Sequence, residues 1–485
     1  MKKLLLFFTA LQFIVLVTAQ KKVNWISTTQ TEQWKTNKDI TTISSKDTAD
    51  AELQLNKPLQ QIDGFGTCFN ELGWASLSML KNEDREKILK ELFTPDYGAN
   101  FTICRMPVGA NDFSNRWYSY NETPGDFEMK NFSIANDLQT LIPFIKGALK
   151  YNSAIKIWAS PWSPPTWMKY NKHYASKPFP KGIIPQEIKD KWGIDFAGLD
   201  NGLQPEQEGF EGTNMFIQEE KYYKAYALYF EKFIKAYRAQ RINISMVMPQ
   251  NEFNSAQVFP SCTWTAKGLS TFISYLGPQM KAAGVNIFFG TMERANEKLV
   301  DTILTEIQSK NYIKGVGFQW AGKDAIAAIN KKHPNLKLYQ SEQECGNGKN
   351  DWAHCCHAWD LMKHYFNNGA NGYMYWNTAL KQGGISTWGW HQNSLVSVDT
   401  VNKTYHYNYE YYLMKHISHF VKPGAKRLDI AGNFDNILAF INKDKSIVVV
   451  AQNKEQSVKT IRIKIGTNTI EQELAADSFN TFILK

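Results

Sequence analysis

The stretch Ile244-Ser245-Met246-Val247-Met248-Pro249-Gln250-Asn251-Glu252 is apolar almost throughout its first half, then stops abruptly at two amides and a carboxylate. A short apolar run of this kind reads as a strand buried on both faces, with its C-terminal end opening onto something polar. Leu338-Tyr339-Gln340-Ser341-Glu342 repeats the pattern. Outward from these two, comparable runs recur, giving predicted strands at 60–66, 101–108, 154–162, 244–252, 286–293, 312–320, 336–342 and 372–377. Amphipathic stretches of helical length lie at 74–93, 137–151, 220–241, 267–283, 296–310, 352–368 and 408–420. Strand and helix alternating in this way predict an α/β fold, a TIM (β/α)8 barrel enlarged by loops. A doubly wound open sheet would carry G-x-G-x-x-G after its first strand, and none is present.

The flanks have a different texture. Residues 23–55 and 427–485 hold short runs such as 51–55, 446–451, 460–465 and 481–484, separated by turn residues. They predict one side antiparallel β-sandwich domain built from both chain ends. The expected organisation is therefore a signal peptide at 1–19, side-domain strands at 20–58, a catalytic barrel at 59–421 and the rest of the side domain at 422–485. The segment 170–216, with Pro178, Pro180, Pro185 and Pro205 and little periodicity, reads as a long loop after the third strand. Barrels place their sites on that face.

Composition narrows the class. Of 485 residues, 43% are hydrophobic and 21% charged, which excludes a disordered or low-complexity chain. Fifteen Trp and 22 Tyr exceed what a core needs and suit a surface that stacks sugar rings or flat ligands. The net charge of +9 comes from lysines that are scattered, not clustered as a nucleic-acid footprint requires. At the start, Lys2 and Lys3, an apolar run from Leu4 to Val17 and the small-residue site Val17-Thr18-Ala19 form an export signal. The run is too short to span a bilayer, so the expectation is a protein secreted or periplasmic after cleavage. Six cysteines in so long a chain are not a disulfide scaffold. His354-Cys355-Cys356-His357 lacks the spacing of a zinc motif and reads as buried thiols on a helix.

Two acidic residues, Glu252 and Glu342, end strands four and seven of the predicted barrel. A strand-end Glu ordinarily caps the next segment or pairs with an Arg. Two facing one barrel mouth suit other chemistry: a carboxylate pair about 5 Å apart is the apparatus of a retaining glycosidase. Trp162, Trp376, Trp388 and Trp390 at or beyond strand ends offer apolar faces for sugar rings, and Asn251 offers an amide. None of the predicted strand ends carries the His ligands of a metal-dependent hydrolase. A non-catalytic carbohydrate-binding barrel is the competing class, and it would have lost a carboxylate.

At these residues the chain resembles glycoside hydrolase family 30, which includes glucosylceramidases, β-1,6-glucanases, β-glucosidases and xylan-acting enzymes. The likeness runs from about residue 61 to 428. It is carried by Gly64-Phe65-Gly66, Arg105-Met106-Pro107 with Asn111-Asp112-Phe113-Ser114, the run from Ala159 to Met168, Gln250-Asn251-Glu252, Ser341-Glu342 and Trp376-Asn377. The resemblance implies Glu342 as nucleophile and Glu252 as acid/base. It implies substrate contacts from Asn251, Asp112, Trp162, Trp376 and Asn393, with Arg105 behind the nucleophile holding it ionised. Glu344 stands where the animal glucosylceramidases have cysteine and is expected to serve structure, and the 170–216 loop is expected to be this chain's own elaboration. The resulting expectation is a monomeric retaining hydrolase of a β-linked glucose-containing saccharide, a β-1,6-glucan or its oligosaccharides before a glucosylceramide or a β-xyloside. No cofactor, metal, nucleic acid or stable membrane insertion is expected.

Overall fold

In the computed structural model, which describes residues 21–43 and 48–485, two sheets organise the chain. The proposed signal segment lies outside the described residues. The first sheet is wholly parallel and contains β1 (Gly64–Cys68), β2 (Ile103–Pro107), β3 (Lys156–Ser160), β4 (Ile244–Val247), β5 (Asn286–Ile287 and Thr291–Met292), β6 (Gly315–Gln319), β7 (Lys337–Glu342) and β8 (Gly372–Asn377). The two pieces of β5 lie at opposite ends of the sheet path: Met246 pairs with Asn286, and Thr291 pairs with Gly317. One strand thus joins both ends, and the sheet closes into the expected barrel.

Alternation along the strands sorts side chains to two sides. Ile103, Trp158, Met246, Tyr339 and Met374 from β2, β3, β4, β7 and β8, with Phe288 between the two pieces of β5, form a buried cluster inside the barrel. Their neighbours Cys104, Ile157, Val247, Phe289, Leu338 and Tyr373 join a separate, larger core with the surrounding helices. The predicted helix 74–93 is two helices, Glu71–Ser78 and Asn82–Phe93, the first started by Asn70, whose side chain accepts from the Gly73 N–H at 2.7 Å. The helix expected from Asp137 begins instead at Leu141. Asp137 is taken up by the hydroxyls of Tyr118, Tyr120 and Tyr237. Elements without a clear sequence signal include the helix Gln186–Trp192 inside the expected 170–216 loop, the helix Ile326–Lys332 and a three-stranded sheet after β8 made of Ala379–Lys381, Val396–Asp399 and Thr404–Tyr407.

The second sheet draws strands from both chain ends. Lys22–Thr28 pairs with Ser478–Leu484, and Ala51–Gln61 pairs with Lys426–Gly432, both antiparallel. One pair departs from the antiparallel expectation: Lys459–Ile465 runs parallel to Ala51–Gln61, Ile463 opposite Ala51. In Ile447–Asn453, Ile447, Val449 and Ala451 enter the side domain's own core, whereas Val448 and Val450 enter the barrel's outer core. That strand is buried on both faces, which explains its continuous apolar run.

Candidate active site

The site is assembled at the C-terminal ends of the barrel strands. Arg105, fully buried on β2, projects inward on the same side as Ile103. Its guanidinium lies 4.3 Å from the Trp162 ring centroid, 4.9 Å from Trp158 and 5.3 Å from Trp376. Every nitrogen is engaged. Nη1 donates to Glu342 Oε2 at 2.7 Å and to the Ser341 carbonyl, Nη2 to Asn251 Oδ1 at 2.6 Å and to Ser160 Oγ, and Nε to Ser160 Oγ. Arg105 therefore positions two site residues and has no donor left for a substrate.

Glu342 would face outward if β7 alternated regularly, because Tyr339 and hence Ser341 point in. A bulge corrects this: Phe318 pairs with Gln340 and Gln319 with Glu342, so Ser341 is the extra residue that re-aims the carboxylate. Glu252 is reached differently. β4 ends at Val247, not at Glu252 as expected, because Pro249 has no N–H to continue the ladder. Glu252 sits five residues farther on, in a turn with φ of +46°, its own N–H donating to Thr291 Oγ1 at 2.8 Å. Trp320 likewise has φ of +48° and donates its indole N–H to Glu342 Oε1 at 3.2 Å. Two non-glycine residues in left-handed backbone at one mouth mark a place where conformational cost has been accepted to aim side chains.

Gln319 links the two acids. Its Nε2 donates to Glu252 Oε1 at 2.9 Å and to Glu342 Oε2 at 3.3 Å, and it lies 3.2 Å from Asn251 Oδ1. Those two distances cap the separation of the carboxylate oxygens at about 6.2 Å. Glu252 Oε2 also accepts from Gln257 at 3.0 Å. Both acids are 4% exposed. Burial pushes the Glu252 carboxyl well above its ordinary pKa, and the charges of Glu293 and Glu342 push it further. Burial also raises Glu342, but Arg105 opposes that rise through charge and hydrogen bonding, with help from Trp320 and Gln319. Both carboxyls end above their ordinary value, Glu252 the further of the two, so Glu342 is the one that ionises first.

The pair opens on a cavity of about 420 Å³ lined at depth by Asp112 and toward the rim by residues such as Trp192, Trp320, Arg294 and Lys323. Asp112 Oδ1 is buried with no hydrogen-bond partner. Burial raises its pKa, and the neighbouring Glu342 charge adds to the rise. Trp162 and Trp376 stack with centroids 5.3 Å apart beside Arg105, forming an aromatic layer around that cation. Asn393 is not brought to the cavity. Its Oδ1 accepts from the N–H groups of Gly348 and Asn350 and its Nδ2 donates to Glu410, so it fastens the loop while the adjacent Gln392 lines the cavity. Trp390 lines the cavity, whereas Trp388 stacks on Trp117.

Glu344 is held at the rim by Lys323 at 2.9 Å and His357 at 3.1 Å. Burial penalises its charge, yet these two partners outweigh it and draw the pKa down to about 2. His354 lies 3.1 Å from the Glu344 carbonyl, and all six cysteines are free thiols. Among the described residues no group of three His, Cys, Asp or Glu side chains is arranged to hold a metal, and no helix is long and apolar enough to cross a membrane. Gln319, Trp320, Gln257 and Glu293 were missed by sequence reasoning. The available signal was position: Glu293, Gln319 and Trp320 fall at the C-terminal ends of predicted strands, and Gln257 lies five residues beyond one.

Similarity to known proteins identifies the family that carries this fold. The family model described as "Glycosyl hydrolase family 30 TIM-barrel domain" matches residues 62–196 and 206–421, and the one described as "Glycosyl hydrolase family 30 beta sandwich domain" matches 424–482. The 170–216 segment is thus covered by the family except at 197–205, a narrower elaboration than expected. The chain is 29% identical to "Putative glucosylceramidase 1" of Caenorhabditis elegans over 88% of this chain and 79% of that protein. It is 25% identical to "Endo-1,6-beta-D-glucanase neg1" of Aspergillus fumigatus over 81% and 78%. Among solved structures, SrfJ from Salmonella typhimurium superposes with a TM-score of 0.80 at 23% identity, covering 95% of this chain and 99% of that one. With barrel and sandwich matched in order along nearly the whole described chain, the protein belongs to glycoside hydrolase family 30 and is a glycosidase.

Proposed function

We infer that this glycosidase cleaves β-glucosidic bonds with retention of configuration and that β-1,6-linked glucans or their oligosaccharides are its substrates. The observation that carries the mechanism is the Gln319 amide reaching both carboxylates, which holds Glu252 Oε1 within about 6.2 Å of Glu342 Oε2. An inverting pair stands about 6.5–9.5 Å apart to admit a water, whereas a retaining pair stands about 5–5.5 Å apart. In the first step Glu342 attacks the anomeric carbon and forms a glycosyl ester, while the bond to the departing oxygen breaks and Glu252 supplies its proton. In the second, Glu252 takes a proton from water as that water attacks the anomeric carbon, and Glu342 leaves as carboxylate. Asp112, with an unpaired buried oxygen, accepts from hydroxyls of the glucose ring.

Support for a glucan over a lipid glucoside comes from the rim, where the ion pairs Glu293–Arg294 and Lys323–Glu344 make the cavity mouth polar. A relative named endo-1,6-β-glucanase supports the linkage. Export through a cleaved 1–19 segment belongs to the same proposal and would put the enzyme where such polymers occur. The test is to supply β-1,6-glucan, β-1,3-glucan, xylan and glucosylceramide separately and follow released sugar or ceramide, with proton NMR of the first product. Fastest turnover on β-1,6-glucan and a β-anomer are expected. An α-anomer would overturn retention, and faster release of ceramide or xylose would overturn the substrate.

A further inference from the structure

The short helix Gln186–Trp192 buries none of its residues, so apolar packing is not what holds it. Backbone pairing does. Gly193, with φ of +63°, closes the helix; its carbonyl accepts from His391 N–H at 2.6 Å, and Asp195 N–H donates to the Gly389 carbonyl at 2.6 Å. Ile194 forms an antiparallel bridge with Trp390, and Asn347 Nδ2 donates to the Asp190 carbonyl at 2.7 Å. This anchoring fixes one large aromatic at the helix end, Trp192, which remains 42% exposed and lines the cavity that contains Glu252 and Glu342. Facing it is Trp320, tied to Glu342, with ring centroids 6.5 Å apart and planes at 49°. A sugar between parallel rings needs van der Waals contact on both sides, about 7–8 Å in all. At 6.5 Å and 49° the indoles form a corner, not a sandwich.

We propose that Trp192 and Trp320 form the platform for the leaving-group sugar, making Trp192 a specificity-determining residue. This rests on the hydrolytic reading above and deepens it. Asp112 and the Arg105 layer occupy the deep end, so the outer cavity receives the part of the substrate that departs. A pyranose has one face of C–H groups for the indoles and a rim of hydroxyls for the Glu293–Arg294 and Lys323–Glu344 pairs. An acyl chain would satisfy the indoles alone and leave those charges unsolvated.

The experiment compares two donors: a β-1,6-linked glucose disaccharide, whose leaving group is a sugar, and β-glucosyl fluoride, whose leaving group cannot stack. In Trp192→Ala, kcat/KM for the disaccharide should fall about tenfold more than for the fluoride, mostly through KM, and Trp192→Phe should restore most of the ratio. Equal losses on both donors, or no rescue by Phe, would overturn the platform. If wild-type protein cleaves neither donor, the hydrolytic reading fails and the platform falls with it. A wild type active on both with an unmoved ratio refutes the platform alone.

Discussion

Glu252 and Glu342 are chemically identical and equally buried, and their neighbours set their proton affinities apart. Arg105 serves Glu342, while Glu293 and Glu342 itself press on Glu252. Glu342→Gln should lower turnover at least about a thousandfold on every substrate, since the ester cannot form. Glu252→Gln should cost about 10²–10⁴-fold on substrates with poor leaving groups and far less on activated aryl glycosides, which steady-state kinetics across a leaving-group series would measure. The proposed mechanism needs Glu342 deprotonated and Glu252 protonated, so the alkaline limb is expected to follow Glu252. Glu293→Gln removes a negative charge that raises the Glu252 pKa, so the alkaline limb should move to lower pH while the acid limb, set by Glu342, moves less. An alkaline limb that stays in place would separate Glu293 from the acid/base.

At the scale of elements, the segment around Gly193 shows how a loop is made rigid without a core. A Cβ on Gly193 would stand 2.2 Å from the His391 carbonyl oxygen, and the residue's φ is left-handed. Gly193→Ala should therefore cost about 1–3 kcal/mol and release the helix from the 389–391 loop. A lowered thermal midpoint together with a raised KM for the disaccharide would report both effects. The same scale shows what was legible in the sequence. Runs apolar on both faces, such as 154–162 and 372–377, located the barrel strands because burial on both sides leaves a continuous signal. Glu252, Glu342, Arg105 and Asp112 were legible through their motifs. Strand ends were less so: Pro249 marks the end of the ladder near Val247, but nothing in the sequence announces that the chain then turns through left-handed backbone at Glu252. Nor did any residue spell out the bulge at Ser341 or the reach of Gln319. Those are properties of pairing across strands far apart in sequence. Asn393 was misread because a motif position does not tell whether an amide points at a substrate or, as here, at Gly348, Asn350 and Glu410.

On the scale of the whole molecule, the side domain and the barrel meet through the helix Tyr409–Ser418, which follows the last barrel strand. His416 on that helix is fully buried, with Nε2 at 2.8 Å from Thr28 Oγ1 and Nδ1 at 2.7 Å from Thr481 Oγ1, so one imidazole joins the barrel to both chain ends. Trp34 packs beside it, stacked on Phe420, with the Lys415 amine 4.4 Å from the Trp34 ring centroid. Burial, reinforced by the Lys415 charge, drives the His416 pKa down to about 3. Unfolding exposes the imidazole and returns it to about 6.5. The unfolded chain then binds a proton that the folded one refuses. The contribution of neutral His416 is complete above about pH 6.5 and is lost progressively as the pH falls toward about 3. His416→Gln keeps an amide able to bond one threonine but cannot titrate. It should be less stable than wild type at pH 8, by about 1–3 kcal/mol for the lost buried hydrogen bond, and the gap should narrow on acidification. Urea unfolding of both proteins at pH 8, 6 and 4.5 measures the difference directly and cancels the carboxylates common to both. A gap that stays constant across that range would mean His416 binds its proton alike in the folded and unfolded chain, and a gap that widens on acidification would mean the joint between the two domains rests on a charged imidazole.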